Sequence, residues 1–258
     1  MTLLIIIILS IVQGATEFLP ISSSGHLVLL YKIFGIQDNT ILLSVILHLA
    51  TLVSVIVYYR KSLLALIRKP LCHTNICIVL TTAVTCVLAL ICKPYIEATF
   101  DGRYLSIGFV ITAILLLISQ MLAKKISVKP PITHMGISYP KALTIGLTQA
   151  IACFPAISRS GTTIATALLC KVDQREATEY SFLISIPIVI ASTVLELAEY
   201  IANPTPIGFS VIELIIGFAI ALIVGVVSIK LMTNIVAKQK LYYFSFYLLI
   251  IALVSAII

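Results

Sequence analysis

Six long apolar stretches, each about 20 residues, limit what this chain can fold into, because a helix of that length spans the roughly 30 Å hydrocarbon core of a bilayer. Only 10% of the residues are charged and 60% are hydrophobic, whereas soluble domains carry about 25% charged residues. The stretches are continuous and lack the alternation of a transmembrane barrel strand. The sequence therefore predicts an all-α polytopic membrane protein with one membrane-embedded domain over 1–258. The predicted spans are 41–59, 74–92, 104–122, 180–201, 207–229 and 241–258.

Two further apolar regions, 2–35 and 139–170, are interrupted by polar segments that resemble each other. The first segment reads QGATEFLPISSSGH (13–26) and the second reads QAIACFPAISRSGT (149–162). An ungapped alignment pairs the Gln, the Phe, the Ile, two Ser and the Gly of the two segments. Each segment contains a Pro, which lacks an amide hydrogen and disfavours a continuous helix. We expect each region to form two half-helices joined by a bend, and each bend to line a cavity, because irregular backbone is tolerated at membrane depth only there or inside protein.

Loop charge predicts how these regions are placed in the membrane. Positive residues follow the first, third and fifth predicted spans, and such residues mark cytoplasmic loops. These loops explain the formal net charge of +7, so we expect membrane lipid, and not nucleic acid, as a partner. The basic loops are 60–73, 123–141 and 230–240, whereas 93–103 is balanced and 202–206 has no charge.

Counting the crossings between these loops, region 139–170 begins and ends in the cytoplasm, and region 2–35 begins and ends outside. We therefore expect six transmembrane helices plus two oppositely oriented re-entrant helical hairpins in an inverted-topology repeat, with repeats of about 1–122 and 139–258. In such repeats the broken helix ends meet near the bilayer midplane and form the site. No basic segment precedes the apolar start and no small-residue cleavage site follows it, so we expect it to belong to the mature protein.

Serine and glycine in the two bends suit an anion. Ser22 to Ser24 and Ser158 to Ser160 stand where the second half-helices should begin, and serine is a favoured N-cap. Free amide groups and the positive end of each helix dipole would then face the cavity. Gly25 and Gly161 would let the backbone approach a ligand closely. The serines could instead only cap the helices or bond to neighbouring residues.

Charged residues in the bends point to phosphoryl chemistry. Arg159 offers a planar fork of donors that matches phosphate oxygens. Glu17 and His26 lie in the other bend, and an ionisable residue inside a membrane is a functional candidate because burying it is costly. A carboxylate suits a metal ion and an imidazole suits proton transfer. Ser23 is a candidate nucleophile, with His26 three residues on as its base.

Several of these residues also have structural interpretations. Arg159 could pair with Glu17 as a structural ion pair, His26 could be a packing residue, and the two aligned glutamines could tie the repeats together. His48 lies in an apolar span and is interpreted as a hydrogen-bonded packing residue. Interfacial water is the expected environment of Glu196, Glu199 and Glu213. The six cysteines contain no CxxC pair and are interpreted as small buried hydrophobic residues.

The segments QGATEFLPISSSGH and PAISRSGTT resemble the two signatures of the bacterial undecaprenyl-pyrophosphate phosphatase family, the bacitracin-resistance type. The length, span count and motif positions are similar over nearly the whole chain. The resemblance implies a metal-dependent membrane phosphatase with six spans and two opposed re-entrant hairpins. It implies removal of the terminal phosphate from undecaprenyl pyrophosphate, which recycles the lipid carrier for cell-wall peptidoglycan. It also implies a place in the bacterial inner membrane, a site on the extracytoplasmic side, and Mg²⁺ or Ca²⁺ as cofactor.

Carried over by motif, the resemblance implies a metal site at Gln13 and Glu17. The expected catalytic residues are Glu17, Ser23, His26 and Arg159. The expected diphosphate-binding residues are Ser22, Ser24, Gly25, Ser158, Ser160, Gly161 and Thr163.

Two positions depart from the family signatures. Gln13 stands where many members have Glu, which removes one anionic metal ligand. Ala156 replaces a Gly of the second signature, and this change would cost energy if the position requires a positive φ.

The preferred interpretation is an undecaprenyl-diphosphatase that acts on a polyprenyl diphosphate lipid. Either Ser23 or a water molecule is the nucleophile, and a homodimer is left open. The main alternative is a transporter or flippase for lipid phosphates, because inverted repeats with broken helices are typical of secondary transporters. A membrane scaffold is a more distant alternative, since it has no need to bury Glu17, His26 and Arg159.

Overall fold

The structure, a computed structural model, describes residues 3–36, 40–99, 102–125, 136–204 and 208–257, with the backbone alone for 123–125. Within these ranges all regular secondary structure is helical. The predicted loops 123–141 and 202–206 lie partly outside the described residues, so their location stays a prediction. The helices are α1 (Leu3–Thr16), α2 (Ser23–Phe34), α3 (Ile41–Tyr58), α4 (Arg60–Arg68), α5 (His73–Glu97), α6 (Leu105–Lys125), α7 (Tyr139–Ile151), α8 (Arg159–Leu169), α9 (Gln174–Ala202), α10 (Val211–Ala237) and α11 (Tyr242–Ile257).

Five of the six predicted spans are confirmed as helices that are long and apolar enough to cross a membrane, namely α3, α5, α6, α9 and α10. The sixth forms α11, a shorter apolar helix of 16 residues. In the residues that the structure describes, the protein is therefore an all-helical, multi-pass membrane protein. The finer topology, six spans with two opposed re-entrant hairpins, stays a prediction.

Capping side chains, and not the ends of the apolar runs, set where two of the spans begin. α9 starts well before the predicted position 180 because the Asp173 carboxylate accepts the Arg175 amide at 2.9 Å. α10 starts after the predicted position 207, where Ser210 and Glu213 form a reciprocal capping box. Glu213 serves this exposed cap, and its place at the membrane interface stays a prediction.

The two interrupted regions form half-helices, as predicted. In the first, α1 ends at Thr16 and α2 begins at Ser23, with the Ser22 hydroxyl accepting the Gly25 amide at 3.3 Å. In the second, α7 ends before residue 152 and α8 begins at residue 159, with a serine cap of the same kind at 3.1 Å. Hydroxyl caps thus satisfy one free amide at the start of each inner half-helix. We call residues 17–26 the first bend and residues 152–162 the second bend, so that each bend includes the first turn of the helix that follows it.

Region 60–73, predicted only as a cytoplasmic loop, contains the helix α4. Leu63 and Leu66 are three positions apart, lie on one helix face and pack against the buried core. The amide of Asn75 donates to three carbonyl oxygens at and just beyond the end of α4, at 2.9–3.2 Å. Loop charge alone does not reveal this helix, because the basic residues mask its short apolar face.

α6 contacts both bends and holds them side by side. The Thr112 hydroxyl of α6 accepts the backbone amide of Ser158 at 3.0 Å. One turn earlier, Phe109 is fully buried and packs edge-on against His26 of α2, with ring centroids 5.4 Å apart. The start of each inner half-helix is therefore fixed against the same span.

Candidate active site

The two bends meet directly, which the inverted-repeat interpretation predicted. The guanidinium of Arg159, the first residue of α8, forms an ion pair with Oε1 of Glu17 in the first bend. Beside it the Ser160 hydroxyl donates to the Leu19 carbonyl at 3.3 Å. The pairing of Arg159 with Glu17, which the sequence left open as an alternative, is thus present in the structure.

Glu17 is the centre of this contact, since only 4% of its side chain is exposed. Its second oxygen, Oε2, accepts the Ser23 hydroxyl at 2.6 Å and the Gln13 amide at 3.0 Å. The imidazole Nε2 of His48 lies 3.9 Å from the same oxygen. A buried carboxylate is stable only when paired and hydrogen-bonded, and residues from α1, α2, α3 and α8 supply these partners.

A cavity of about 400 Å³ opens above this cluster. The N-terminal ends of α2 and α8 both reach its wall, and both carry amides that helix geometry leaves without an intrahelical partner. Two converging helix N-termini and a guanidinium make this wall suitable for an anion such as a phosphate. The polar wall of the bends comprises Glu17, Ser22, Ser23, Ser24, Ser158 and Arg159.

Some predicted ligand-binding residues lie behind this wall. The Thr163 hydroxyl donates to the Arg159 carbonyl at 2.9 Å and bonds to Ser181 of α9 at 2.5 Å, so it supports the first turn of α8. A Cβ on Gly25 would lie 2.7 Å from the Phe109 ring, and one on Gly161 would lie 3.1 Å from Pro20. The structure gives these two glycines a packing role, since they let the two bends and α6 approach each other.

His26 is turned away from Ser23. Its Nδ1 bonds to the Ser22 carbonyl oxygen at 2.7 Å, and its Nε2 bonds to the Tyr247 hydroxyl at 2.8 Å. The Ser23 hydroxyl donates to Glu17 instead. The expected Ser23–His26 pair is therefore not formed, because both ring nitrogens are used elsewhere and the ring folds back over the start of α2.

The opposite wall contains residues to which the sequence interpretation gave no catalytic role. His48 lines the cavity, as do Glu196 and Glu199 of α9, which were expected to reach only interfacial water. Nδ1 of His48 bonds to the Ser44 carbonyl oxygen at 2.9 Å, so the other nitrogen faces Glu17. The sequence contained a signal for this wall. Ser192, Glu196 and Glu199 follow one another at spacings of four and three residues, which places them on one face of a helix.

Ala156 has φ +63° and is fully buried in the second bend. A left-handed conformation costs a residue with a Cβ about 1–2 kcal/mol relative to glycine. The replacement of glycine in the signature is therefore a strained substitution. In the first bend the strained residue is Ser22, with φ +69°.

The donor groups around Glu17 fit a divalent cation only in part. The described residues contain no group of three or more His, Cys, Asp or Glu that could hold a metal ion. Gln13 presents its amide nitrogen to Glu17, while its oxygen Oε1 is buried and has no hydrogen-bond partner among the residues that the structure describes. A cation that enters together with phosphate oxygens fits better, since Mg²⁺ usually takes one or two carboxylates plus substrate phosphates.

Comparisons with known proteins agree with these signatures. The family model described as bacitracin resistance protein BacA matches residues 6–254. The undecaprenyl-diphosphatase of Carboxydothermus hydrogenoformans is 37% identical over 247 residues, which cover 95% of this chain and 93% of that protein. That of Treponema denticola is 37% identical over 257 residues, covering 94% and 92%. Undecaprenyl-diphosphatase 1 of Shouchella clausii is 32% identical over 267 residues, covering 98% and 95%. The chain belongs to the bacitracin resistance protein BacA family.

Proposed function

We propose that this protein is an undecaprenyl-diphosphatase. It hydrolyses undecaprenyl pyrophosphate to undecaprenyl phosphate and inorganic phosphate, and so returns the lipid carrier to cell-wall synthesis. The proposal is carried by one arrangement, the cluster of Glu17, Ser23 and Arg159 at the wall of a cavity where two helix N-termini converge. It is supported by the names of the relatives, which cover nearly the whole chain.

The diphosphate binds against the ends of α2 and α8. Arg159 carries five N–H donors, so it can keep one contact with Glu17 and still bind phosphate oxygens. The first-turn amides and the hydroxyls of Ser22, Ser24 and Ser158 surround the same part of the cavity. Ser160 and Thr163 do not line the cavity and hold the start of α8 in place through hydrogen bonds. These donors stabilise the negative charge that develops on the transferred phosphoryl group.

Glu17 is the base closest to the candidate nucleophile, because it already accepts the Ser23 proton at 2.6 Å. In the serine route, Ser23 Oγ attacks the terminal phosphorus while Glu17 takes the proton. The bond to the bridging oxygen breaks, undecaprenyl phosphate leaves, and water then hydrolyses the phosphoserine. In the water route, Ser23 only orients a water molecule, which attacks the same phosphorus and gives its proton to Glu17. The same bond to the bridging oxygen breaks and undecaprenyl phosphate leaves.

In this proposal Glu17, together with the diphosphate, would hold Mg²⁺ or Ca²⁺. Glu17 supplies the protein carboxylate, and Gln13 holds that carboxylate in place through its amide nitrogen. When bound, such a cation neutralises phosphate charge during the transfer.

The proposed orientation places the cavity on the extracytoplasmic side of the bacterial inner membrane. The cavity is lined by the start of α3, including its cap residue Thr40, and by the second half of α9, which includes Glu199. The opposite end of α3 continues into the basic helix α4, which the positive-inside rule assigns to the cytoplasm. This orientation agrees with the proposed six spans and two opposed re-entrant hairpins.

The test is phosphate release from undecaprenyl pyrophosphate by purified protein in detergent, with and without Mg²⁺ or Ca²⁺. We expect metal-dependent release, with a kcat/KM that Arg159→Ala lowers about 10³-fold. Bound lipid without phosphate release would reject the proposal and favour the transporter alternative, since transport needs a membrane and hydrolysis does not.

The two hydrolytic routes can be separated by acid quench of a single turnover, because only the serine route passes through a covalent phosphoserine. A trapped phosphoserine at Ser23 supports the serine route. Phosphate release by Ser23→Ala at a near wild-type rate supports direct attack by water.

A further inference from the structure

His26 belongs to the predicted catalytic set, yet its ring lies outside the residues that line the cavity. It is held between two aromatic side chains of the neighbouring spans. The ring of Tyr247 in α11 stacks on it with an interplanar angle of 5° and centroids 5.7 Å apart, and Phe109 packs edge-on from α6. This environment is that of a clamped side chain and not that of a group free to meet a substrate.

The hydrogen bonds of His26 have a defined direction. A carbonyl oxygen can only accept, so Nδ1 carries the proton that is donated to Ser22 O at 2.7 Å. In the neutral ring Nε2 is then an acceptor. Tyr247 therefore donates its hydroxyl proton to Nε2 at 2.8 Å. The chain of bonds runs from Tyr247 through His26 to the backbone of the first bend.

These hydrogen bonds end at Ser22, a residue whose backbone conformation is strained. Ser22 has φ +69° and ψ +106°, and a residue in such a conformation persists only when its surroundings hold it. Its carbonyl belongs to the same planar peptide as the Ser23 amide. Fixing the Ser22 oxygen therefore fixes the orientation of the Ser23 amide and the position from which the Ser23 side chain enters the cavity.

The second bend has no equivalent of this contact. The aligned residue there is Thr162, whose buried hydroxyl has no hydrogen-bond partner in the described part of the chain. The amide of Ser158 is instead held by Thr112 of α6 at 3.0 Å. The His26–Tyr247 contact is thus a feature of the bend that carries the candidate nucleophile.

We infer that Tyr247 is a positioning residue of the active site, which acts through His26 to hold the Ser22–Ser23 peptide in the orientation that hydrolysis requires. This inference rests on the proposed diphosphatase function. Tyr247 touches the His26 ring and does not line the cavity, so its removal should slow the chemical step without weakening substrate binding.

The first test is Tyr247→Phe, which keeps the stacked ring and removes the hydroxyl. We expect kcat for phosphate release to fall about three- to tenfold, as the loss of one hydrogen bond of ordinary strength implies, while KM changes less than about twofold. Tyr243→Phe is the matched control, because Tyr243 lies one turn earlier on α11, is exposed, and packs on Tyr242. Unchanged kcat in Tyr247→Phe, with an active wild type, would overturn the inference.

A double-mutant cycle separates action through His26 from an independent role. In His26→Asn the side-chain amide can replace Nδ1 as donor to Ser22 O, but it has no atom to meet Tyr247. If Tyr247 acts through His26, adding Tyr247→Phe to His26→Asn causes no further loss of kcat. Losses that multiply would contradict the inference.

A readout that does not depend on activity is amide hydrogen exchange of residues 17–26. We expect faster exchange in Tyr247→Phe than in wild type, and no change in Tyr243→Phe. If the wild type released no phosphate, the proposed function would fail, and exchange would still show whether Tyr247 holds the bend. Unchanged exchange in Tyr247→Phe would overturn that part of the inference directly.

Discussion

In the ungapped alignment of the two bends, Glu17 occupies the position of Cys153, and Ser23 occupies that of Arg159. The residues that the bends share are those that make the turn and cap the next helix, above all Ser22 and Ser158. The residues that differ are those that meet in the cavity. The two similar segments thus supply two copies of one scaffold, and the sequence differences turn the copies into complementary halves of one candidate site.

The bends also differ in how they are held. The strained residue is Ser22 in the first bend and Ala156 in the second, which are not aligned positions. The first bend is fixed by a side chain of its own helix, His26, and the second by Thr112 of a neighbouring span. Equivalent caps are therefore reached by different backbone paths.

The largest effect is expected from Arg159→Ala. This change removes the guanidinium from the cavity wall and leaves the buried Glu17 without its ionic partner. We expect kcat/KM for phosphate release to fall about 10³-fold, since one preorganised donor to the transition state is worth about 10²–10³-fold. Arg159→Lys keeps the charge but not the planar fork of donors, so its kcat/KM should lie between those of Arg159→Ala and wild type. The exposed Arg175→Ala is the control and should retain wild-type activity.

The aligned pair Glu17 and Cys153 offers a direct comparison. Glu17→Ala should lose about 10²-fold or more in kcat, because the proton acceptor of Ser23 and the partner of Arg159 are both removed. The kcat of Cys153→Ala should stay within about twofold of the wild-type value, because the thiol bonds only weakly to the Gln149 carbonyl at 3.8 Å. Equal losses in the two variants would show that the bends do not divide the work as proposed.

A smaller loss is expected from His48→Ala. His48 is the histidine among the described residues that lines the cavity, and its Nε2 lies 3.9 Å from Glu17. We expect kcat/KM to fall about tenfold, because Glu17 loses a polar neighbour that helps to orient it. His73→Ala is the control on the same type of residue, since His73 bonds to the Ile137 carbonyl away from the cavity. Wild-type kinetics in His48→Ala would restore its interpretation as a packing residue.

The smallest effect is expected from Ala156→Gly, which tests the strain of the second bend. Relief of the left-handed conformation should stabilise the protein by no more than about 1 kcal/mol, after the greater chain entropy of glycine is subtracted. Thermal unfolding in detergent should show a melting temperature raised by no more than about 2–4 °C. Ser22→Gly is the comparison in the first bend. Its melting temperature should not rise, because this variant also loses the hydroxyl cap of α2. A lower melting temperature in Ala156→Gly would show that the buried methyl group matters more than the strain.

Much of the fold follows from local sequence signals. Apolar length predicts α3, α5, α6, α9 and α10 because crossing a bilayer requires it. Proline and serine predict the two bends and the starts of α2 and α8, because caps and proline act on the backbone within a few residues. The helix α4 was missed because its apolar stretch is short and lies between basic residues, whose charge was interpreted only as a sign of a cytoplasmic loop.

The candidate site was less accessible to sequence reasoning. The bend residues Glu17, Ser23 and Arg159 were predicted and are brought together. The orientation of His26 was not, because its partner Tyr247 lies 221 positions away in sequence and stacks from another span. His48 and Glu196 were missed for a similar reason, since the rotation of a span about its axis is set by tertiary packing.

The central claim is that Glu17 and Arg159, from opposite bends, act as one unit. The most direct test is the initial rate of phosphate release from undecaprenyl pyrophosphate by four purified proteins: wild type, Glu17→Gln, Arg159→Gln and the double variant. If the residues act together, the double variant should be about as slow as the slower single variant, because the second change has nothing left to remove. Losses that multiply, or a single variant with wild-type activity, would contradict a site shared by the two bends.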